Sequence, residues 1–282
     1  MKMIFIMMFM KLRDWIDINK LNWYTLSKNK NAIELLTANP EKINWSFLSE
    51  NPNAIELLKA NQEKINWSFI SDNQNAIELL INNPEKINLN YFSKNINAVE
   101  LLKENQTKIN WITLSANPNA IELLKANKNK IDWMGLSLNE NPEAIKLLKE
   151  NPNNIYWTFL SENINAIELL KANFNKINWY YLSKNKNAIE LLKANKDKIE
   201  WYELSRNENP EAIELLKENQ DKIEWSSFSL NPSIFTYDYN KIKQNFQELG
   251  EEILAKALHP DRIFKLIEEY GEDEIYNIYF DY

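Results

Sequence analysis

Apolar positions recur along this chain at a fixed interval of 22 residues, and each unit reads W-x-x-L-S-x-N-x-N-A-I-E-L-L-K-A-N-x-x-K-I-N. The interval widens to 24 at two steps, where a similar two-residue insertion appears. Nine of the ten units begin with Trp, and the ten first residues are Trp23, Trp45, Trp67, Leu89, Trp111, Trp133, Trp157, Trp179, Trp201 and Trp225. A short, regular period of this kind predicts a stack of small units rather than a single globular core.

Each unit contains the signals of two helices. In the second unit, Asn51 and Pro52 are typical of a helix start and Asn61 of a helix end, which predicts a helix of about ten residues. A shorter helix is predicted from Trp45 to Ser49, with Asn44 as its N-cap. The same capping chemistry precedes the first residue in seven units, at Asn22, Asn44, Asn66, Asn88, Asn110, Asp132 and Asn178. The sequence therefore predicts an all-α fold, an α-solenoid of about ten 22-residue helix-pair repeats.

A leucine-rich-repeat horseshoe is the structural alternative, because 22 residues also fits its period and Ile43-Asn44-Trp45 has the length of a short strand. The capping residue before Trp favours the solenoid. At about 8–10 Å for each packed helix, ten units predict an elongated body about 80–100 Å long. The first-position Trp side chains are expected to be buried between neighbouring repeats.

The two ends of the chain differ from the repeats. We expect residues 1–20 to form a leader and cap, residues 21–230 the solenoid, and residues 231–282 a C-terminal helical capping segment. The apolar run from Met3 to Met10 is too short to span a bilayer, which leaves a cap, a disordered leader or a membrane-surface segment as its interpretations. Within the C-terminal segment, helices are predicted over 239–258, capped by Asp238, and over 260–270, before an acidic and aromatic tail.

The two insertions lie in nearly identical text, at residues 139–143 and 207–211. Insertions in repeat proteins usually fall in loops on one face. We therefore expect the extra residues to lengthen a surface turn without changing the core.

Composition narrows the classes of function. A net charge of -7 and a pI near 5.1 argue against nucleic acid and against anionic membranes as partners, because phosphate contacts need clustered positive charge. The chain has no Cys and one His, His259, so we expect no metal site and no catalytic triad. Glycine-rich nucleotide loops are absent from the sequence. We expect no cofactor, no catalytic residues and no enzymatic activity.

The positions that vary between repeats are the candidates for binding a partner. The two positions after the first Trp change from unit to unit and are often aromatic, at Tyr24, Phe47, Phe69, Tyr91, Phe159, Tyr180, Tyr181 and Tyr202. The position after each Ser also varies, and carries Lys28, Glu50, Asp72, Lys94, Ala116, Leu138, Glu162, Lys184, Arg206 and Leu230. A variable surface on a constant scaffold is typical of binding repeats, although relaxed surface drift produces the same pattern.

The blocks 117–124 and 176–183, with the closing segment 230–239, resemble the short tandem repeats of uncharacterised proteins from mimivirus-like giant DNA viruses. The resemblance covers most of the chain and implies a viral protein in the host cytoplasm, or in the virion, with no catalytic residues to transfer. We therefore expect a non-enzymatic scaffold that binds a protein partner, a host factor whose identity the sequence does not give. The alternative is a structural component of a virion or viral factory that associates with itself.

Overall fold

The computed structural model of the chain describes residues 10–104, 106–257 and 259–271. These residues fall into two compact units, one spanning Leu12–Thr236 and the other consisting of residues 10–11 and the described part of 237–271. The first unit contains all ten repeats, and its regular elements are short helices joined by turns, apart from the ends of two short paired strands, β1 (Met10–Leu12) and β2 (Phe235–Tyr237). The all-α repeat fold is confirmed, and no described repeat residue from 23 to 234 lies in a strand.

Every repeat begins with a short α-helix, as predicted. The ten short helices are Trp23–Leu26, Trp45–Glu50, Trp67–Ile70, Leu89–Lys94, Trp111–Ser115, Trp133–Leu138, Trp157–Leu160, Trp179–Lys184, Trp201–Leu204 and Trp225–Leu230. All seven predicted N-caps are confirmed, because each Asn or Asp side chain accepts from a backbone N–H of the first turn. Glu224 caps in the same way, whereas Tyr156 and Glu200 do not.

The second helix of most repeats is shorter than the predicted ten residues. The second helices are Ile33–Thr37, Ile55–Lys59, Ile77–Ile81, Val99–Glu104, Ile121–Ala126, Pro142–Glu150, Ile167–Ala172, Ile189–Ala194 and Pro210–Glu218. In repeat 2, the Asn51 Oδ1 accepts from the Asn53 N–H at 3.0 Å, and this local turn displaces the helix start to Ile55. At the helix end, the Asn61 Nδ2 donates to the Leu57 carbonyl at 2.9 Å.

A 3₁₀ turn follows each second helix and leads into the next repeat. These turns are Pro40–Lys42, Gln62–Lys64, Pro84–Lys86, Gln106–Lys108, Lys128–Lys130, Pro152–Asn154, Phe174–Lys176, Lys196–Lys198 and Gln220–Lys222. Three further 3₁₀ turns lie at Ile18–Lys20, Pro118–Ala120 and Pro232–Ile234. The core between the helices is made of fully buried side chains such as Leu48, Ala54 and Leu58, while Glu56 and Lys59 face solvent, as the pattern predicts.

The insertions lengthen helices, which corrects the expectation of a longer surface turn. Asn139 and Asn141 make the same cross-repeat contacts as their counterparts in 22-residue repeats. The extra residues are therefore Pro142 and Glu143, and they are the first two residues of a nine-residue helix, Pro142–Glu150. Proline fits this position because the first turn of a helix needs no backbone N–H donor.

The same hydrogen bonds join every pair of neighbouring repeats. The Ser27 Oγ accepts from the Asn44 N–H at 2.9 Å, and the Asn51 Nδ2 donates to the carbonyls of Ser27 and Asn29 at 3.1 and 2.8 Å. The buried Ser accepts from the next repeat at all ten junctions. The Ser27 and Asn51 side chains are fully buried, so these hydrogen bonds satisfy buried polar groups at each junction beside the apolar core.

The tenth of these junctions joins the last repeat to the first. The Asn22 N–H donates to the Ser229 Oγ at 2.9 Å, and the Asn29 Nδ2 donates to the carbonyls of Ser229 and Asn231, both at 2.9 Å. The first short helix packs against the tenth as closely as its neighbours do elsewhere. The solenoid is therefore a closed ring, and the expected elongated body of 80–100 Å is wrong.

Both ends of the repeat region build the tenth repeat. Repeat 10 supplies its short helix and the Pro232–Ile234 turn, but the chain then continues into β2. The missing 3₁₀ turn comes from Ile18–Lys20, where Lys20 lies over Trp225 at 5.2 Å. Ten steps of about 8–10 Å then form a circumference, which corresponds to about 25–32 Å between opposite short-helix axes.

The ring has no open end, so the exposed apolar ends that make caps necessary in open arrays do not arise here. The second unit contains the helices Tyr239–Ala257 and Pro260–Tyr270. Asp238 caps the first of them, as predicted, by accepting from the Lys241 N–H at 3.1 Å. The predicted capping role of this segment stays a prediction. The part of the apolar run that precedes Met10, together with Leu258 and the tail 272–282, lies outside the described residues.

Candidate interaction surface

The predicted aromatic residues form two separate rows on the first turns of the short helices. The first row crosses repeats 1 to 4, with ring centroids 4.4 Å apart for Tyr24 and Phe47, 6.1 Å for Phe47 and Phe69, and 5.6 Å for Phe69 and Tyr91. Side chains of the first helical turn, at the same or at adjacent positions after the anchor, thus meet across the repeat junctions. Edge-on and tilted contacts of this length stabilise aromatic pairs.

The second row crosses repeats 7 to 9. The centroids of Phe159 and Tyr181 are 5.6 Å apart, those of Tyr180 and Tyr181 are 5.4 Å apart, and those of Tyr180 and Tyr202 are 6.4 Å apart with nearly parallel planes. Repeats 5 and 6 separate the two rows on one side, and repeat 10, which carries Ser226 and Ser227, separates them on the other.

The two positions of each row differ in exposure. Phe47, Phe69, Tyr91, Phe159 and Tyr181 occupy the second position after the anchor and are half-buried between neighbouring repeats. Tyr24, Tyr180 and Tyr202 occupy the first position and are 54%, 41% and 47% exposed. The first-position side chains are thus the solvent-accessible members of each row.

A buried carboxylate lies beside the second row. Glu203 occupies the slot that holds an aromatic ring in other repeats, is buried, and lies 3.7 Å from Arg206. A hydrogen bond to Glu203, together with partial burial, raises the pKa of the Tyr180 hydroxyl above its usual value of 10.0. The Tyr180 hydroxyl is therefore held protonated, as a donor toward Glu203.

The positions after each Ser face the inside of the ring. One cavity of about 270 Å³ is lined by Lys184, Arg206, Leu230, Lys28 and Glu50. These residues belong to repeats 8, 9, 10, 1 and 2, which follow one another around the closed ring. Residues so far apart along the stack share a cavity only on its concave side. The charges there neutralise one another, since Lys28 pairs with Glu50, Lys94 with Asp72 at 2.8 Å, and Lys184 with Glu162.

A lysine covers the anchor Trp in most repeats, which the sequence reasoning missed. The ammonium of Lys64 lies 4.3 Å from the centroid of Trp45, and equivalent pairs occur in eight of the ten repeats at 4.3 to 5.2 Å. The anchor Trp side chains are half-buried, so the expectation that they are buried between neighbouring repeats is wrong. The lysine that stands three residues before nine of the ten anchors was the available signal for these cation–π contacts.

Gly135 takes the aromatic slot of repeat 6, where its short helix packs closely against the short helix of repeat 5. A Cβ at this position would lie 2.7 Å from the Ile112 carbonyl oxygen. Only glycine fits there, so the row of rings is interrupted for a packing reason.

The described residues contain no group of three His, Asp or Glu side chains that is arranged to bind a metal ion. His259 precedes the helix Pro260–Tyr270, and its carbonyl accepts from the N–H groups of Arg262 and Ile263 at 2.9 and 3.0 Å. Among the described helices, none has the length and apolar character to cross a bilayer. No family model, curated protein or solved structure matches the chain significantly.

Proposed function

We propose that this chain is a non-enzymatic ring scaffold that binds a protein partner through its exposed aromatic side chains. The observation that carries the proposal is the exposure of Tyr24, Tyr180 and Tyr202 at a position that varies between repeats. Tyrosine supplies a large, rigid contact area at a low entropic cost and is enriched at protein interfaces. The neutralised charges inside the ring favour a partner on the aromatic rows over a nucleic acid in the centre.

The proposal extends to a viral protein that acts on a host factor in the host cytoplasm. This part rests on the resemblance of the repeat blocks to giant-virus tandem repeats. A ring of fixed diameter with two separated aromatic rows presents two contact areas to one partner, which increases affinity when both engage.

The test replaces the exposed tyrosines by serine, in the triple variant Tyr24→Ser, Tyr180→Ser and Tyr202→Ser. Serine already occupies this position in three repeats, at Ser46, Ser68 and Ser226, so the ring is expected to fold. Host proteins captured by the native chain and lost with the triple variant support the proposal.

The matched control changes exposed carboxylates of the second helices, Glu56→Gln, Glu78→Gln and Glu122→Gln, and should keep the captured proteins. Capture that is identical for the native chain and the tyrosine variant would overturn the proposal. Sedimentation of the purified chain, with association that the tyrosine variant abolishes, would instead favour the self-assembling structural role.

A further inference from the structure

Repeat 4 differs from the other repeats at its anchor residue. It begins with Leu89 where the other nine repeats carry Trp, yet it keeps the lysine of the following 3₁₀ turn, Lys108. Repeat 6 differs in the opposite way, because it keeps its anchor, Trp133, but has Asn154 in place of the lysine. Among the described repeats, repeat 4 is thus the one that has the lysine ammonium group but lacks the Trp indole that this group covers elsewhere.

An apolar cavity of about 400 Å³ lies at this anchor, which we call the repeat-4 pocket. Its wall is mainly apolar and includes Ile81, Ile87, Leu89, Phe92 and Leu101, and the charged side chains that line it are Glu104 and Lys108. A cavity of this size falls within the range of sites for small organic groups.

A second departure lies in the same wall. Ile81 follows the two leucines of its second helix, at a position where seven repeats have lysine, namely Lys59, Lys103, Lys125, Lys149, Lys171, Lys193 and Lys217. Ile81 is 52% exposed and Leu89 is 39% exposed. Two exposed apolar side chains from neighbouring repeats therefore line one opening. Their contact with water is unfavourable in free energy, and a ligand that covered them would remove this unfavourable term.

The equivalent place in another repeat indicates which chemical group fits the repeat-4 pocket. At the equivalent place in repeat 8, the Trp179 ring lies under Lys198 at 4.6 Å, and Phe174 packs edge-on against it at 5.5 Å. Lys198 also lies 5.2 Å from the Phe174 ring. This corner of the repeat thus holds two aromatic rings under one ammonium group.

We propose that the repeat-4 pocket binds a tryptophan side chain of a protein partner, which takes the place of the missing anchor indole beneath Lys108. The apolar wall buries the ring, and the ammonium group contacts its face by a cation–π interaction. The inference deepens the proposed function because the partner is again a protein. The pocket is nevertheless testable without that partner.

The probe is N-acetyl-tryptophanamide, titrated into the full chain and followed by methyl NMR of isoleucine and leucine. Saturable shifts at Ile81 and Leu89, with weaker binding of N-acetyl-leucinamide, are expected. Leu89→Trp should abolish these shifts and keep the fold, since Trp stands at this position in the other repeats. Lys108→Gln should weaken binding about two- to fivefold, the size of one exposed cation–π contact.

The matched control is Lys86→Gln, which removes the lysine that lies over Trp67 and should leave probe binding unchanged. Equal binding of the two probes, or binding that persists in Leu89→Trp, would overturn the proposal. If Leu89→Trp unfolds, Ile81→Lys gives an independent test, because lysine at that position is expected to reduce binding. The triple tyrosine variant should bind the probe normally, so failure of the pocket and failure of the proposed function are distinguishable.

Discussion

The buried asparagine of the first repeat provides a sharp test of ring closure. The Asn29 side chain makes three hydrogen bonds, two from its Nδ2 to the Ser229 and Asn231 carbonyls at 2.9 Å and one at its Oδ1 from the Asn31 N–H at 3.0 Å. At a net contribution of about 1 kcal/mol for each bond, Asn29→Ala should cost about 3 kcal/mol. In an open array the two cross-repeat bonds would not exist, and the cost would be about 1 kcal/mol.

Asn117→Ala is the internal reference for this change. Asn117 makes the equivalent three bonds with repeats 4 and 5, at 3.3, 3.0 and 3.0 Å, so both variants should lose the same stability. Asn127→Ala is the local control, because the Asn127 Nδ2 donates within its own repeat to the Leu123 carbonyl at 3.0 Å.

Urea unfolding followed by tryptophan fluorescence measures the three free energies of unfolding, with the slopes compared to detect a loss of cooperativity. A cost for Asn29→Ala that matches Asn127→Ala and falls well below Asn117→Ala would refute the closed ring.

Three further results are expected. Leu114→Ala, at a fully buried position, should cost about 2–5 kcal/mol and more than Trp111→Ala at its half-buried anchor; the reverse order in urea unfolding would contradict the packing. Deletion of Pro142–Glu143 should leave a cooperative thermal transition, because it removes only the first two residues of one helix and keeps Asn139 and Asn141, which bond to the preceding repeat. A broad, multistep melt would contradict this. Since the pKa of Tyr180 is raised mainly by Glu203, the stabilisation from this pair is present below the usual pKa and is lost as pH rises through the folded-state value. In an ultraviolet titration, Glu203→Gln should shift one tyrosine to ionise at lower pH, and an unchanged titration would exclude the contact.

The local structure of each repeat follows from its sequence pattern. Asn44 before Trp45 caps a helix because its side chain accepts from the otherwise free Phe47 N–H of the first turn, and this chemistry needs no long-range information. The helix lengths were overestimated because Asn51 competes for the same backbone region and folds it into a turn.

Ring closure is a long-range property, because a small rotation at each step accumulates over ten junctions. A signal was nevertheless present. Lys20-Leu21-Asn22 before the first Trp repeats the Lys-Ile-Asn that ends a unit, whereas the last unit lacks it after Leu230. A repeat divided between the two ends of a chain indicates closure, as the contact of Lys20 with Trp225 confirms.

The candidate surface was only partly predictable. The pattern identified the variable positions, but their separation into exposed Tyr24 and half-buried Phe47 depends on which side of the short helix meets its neighbour. The sequence shows that Leu89 departs from the pattern, but the pocket depends on Ile81 and Lys108, which line it together with Leu89 only in the folded repeats.

The distance between the first and ninth repeats tests the closed ring most directly. The chain has no Cys, so Glu34→Cys with Glu214→Cys places two spin labels on exposed second-helix positions two steps apart around the ring. Glu78→Cys with Glu122→Cys gives the same two-step separation inside the stack. A closed ring predicts similar label distances for the two pairs by pulsed electron paramagnetic resonance, whereas a first pair separated by eight steps, about 64–80 Å, would contradict it.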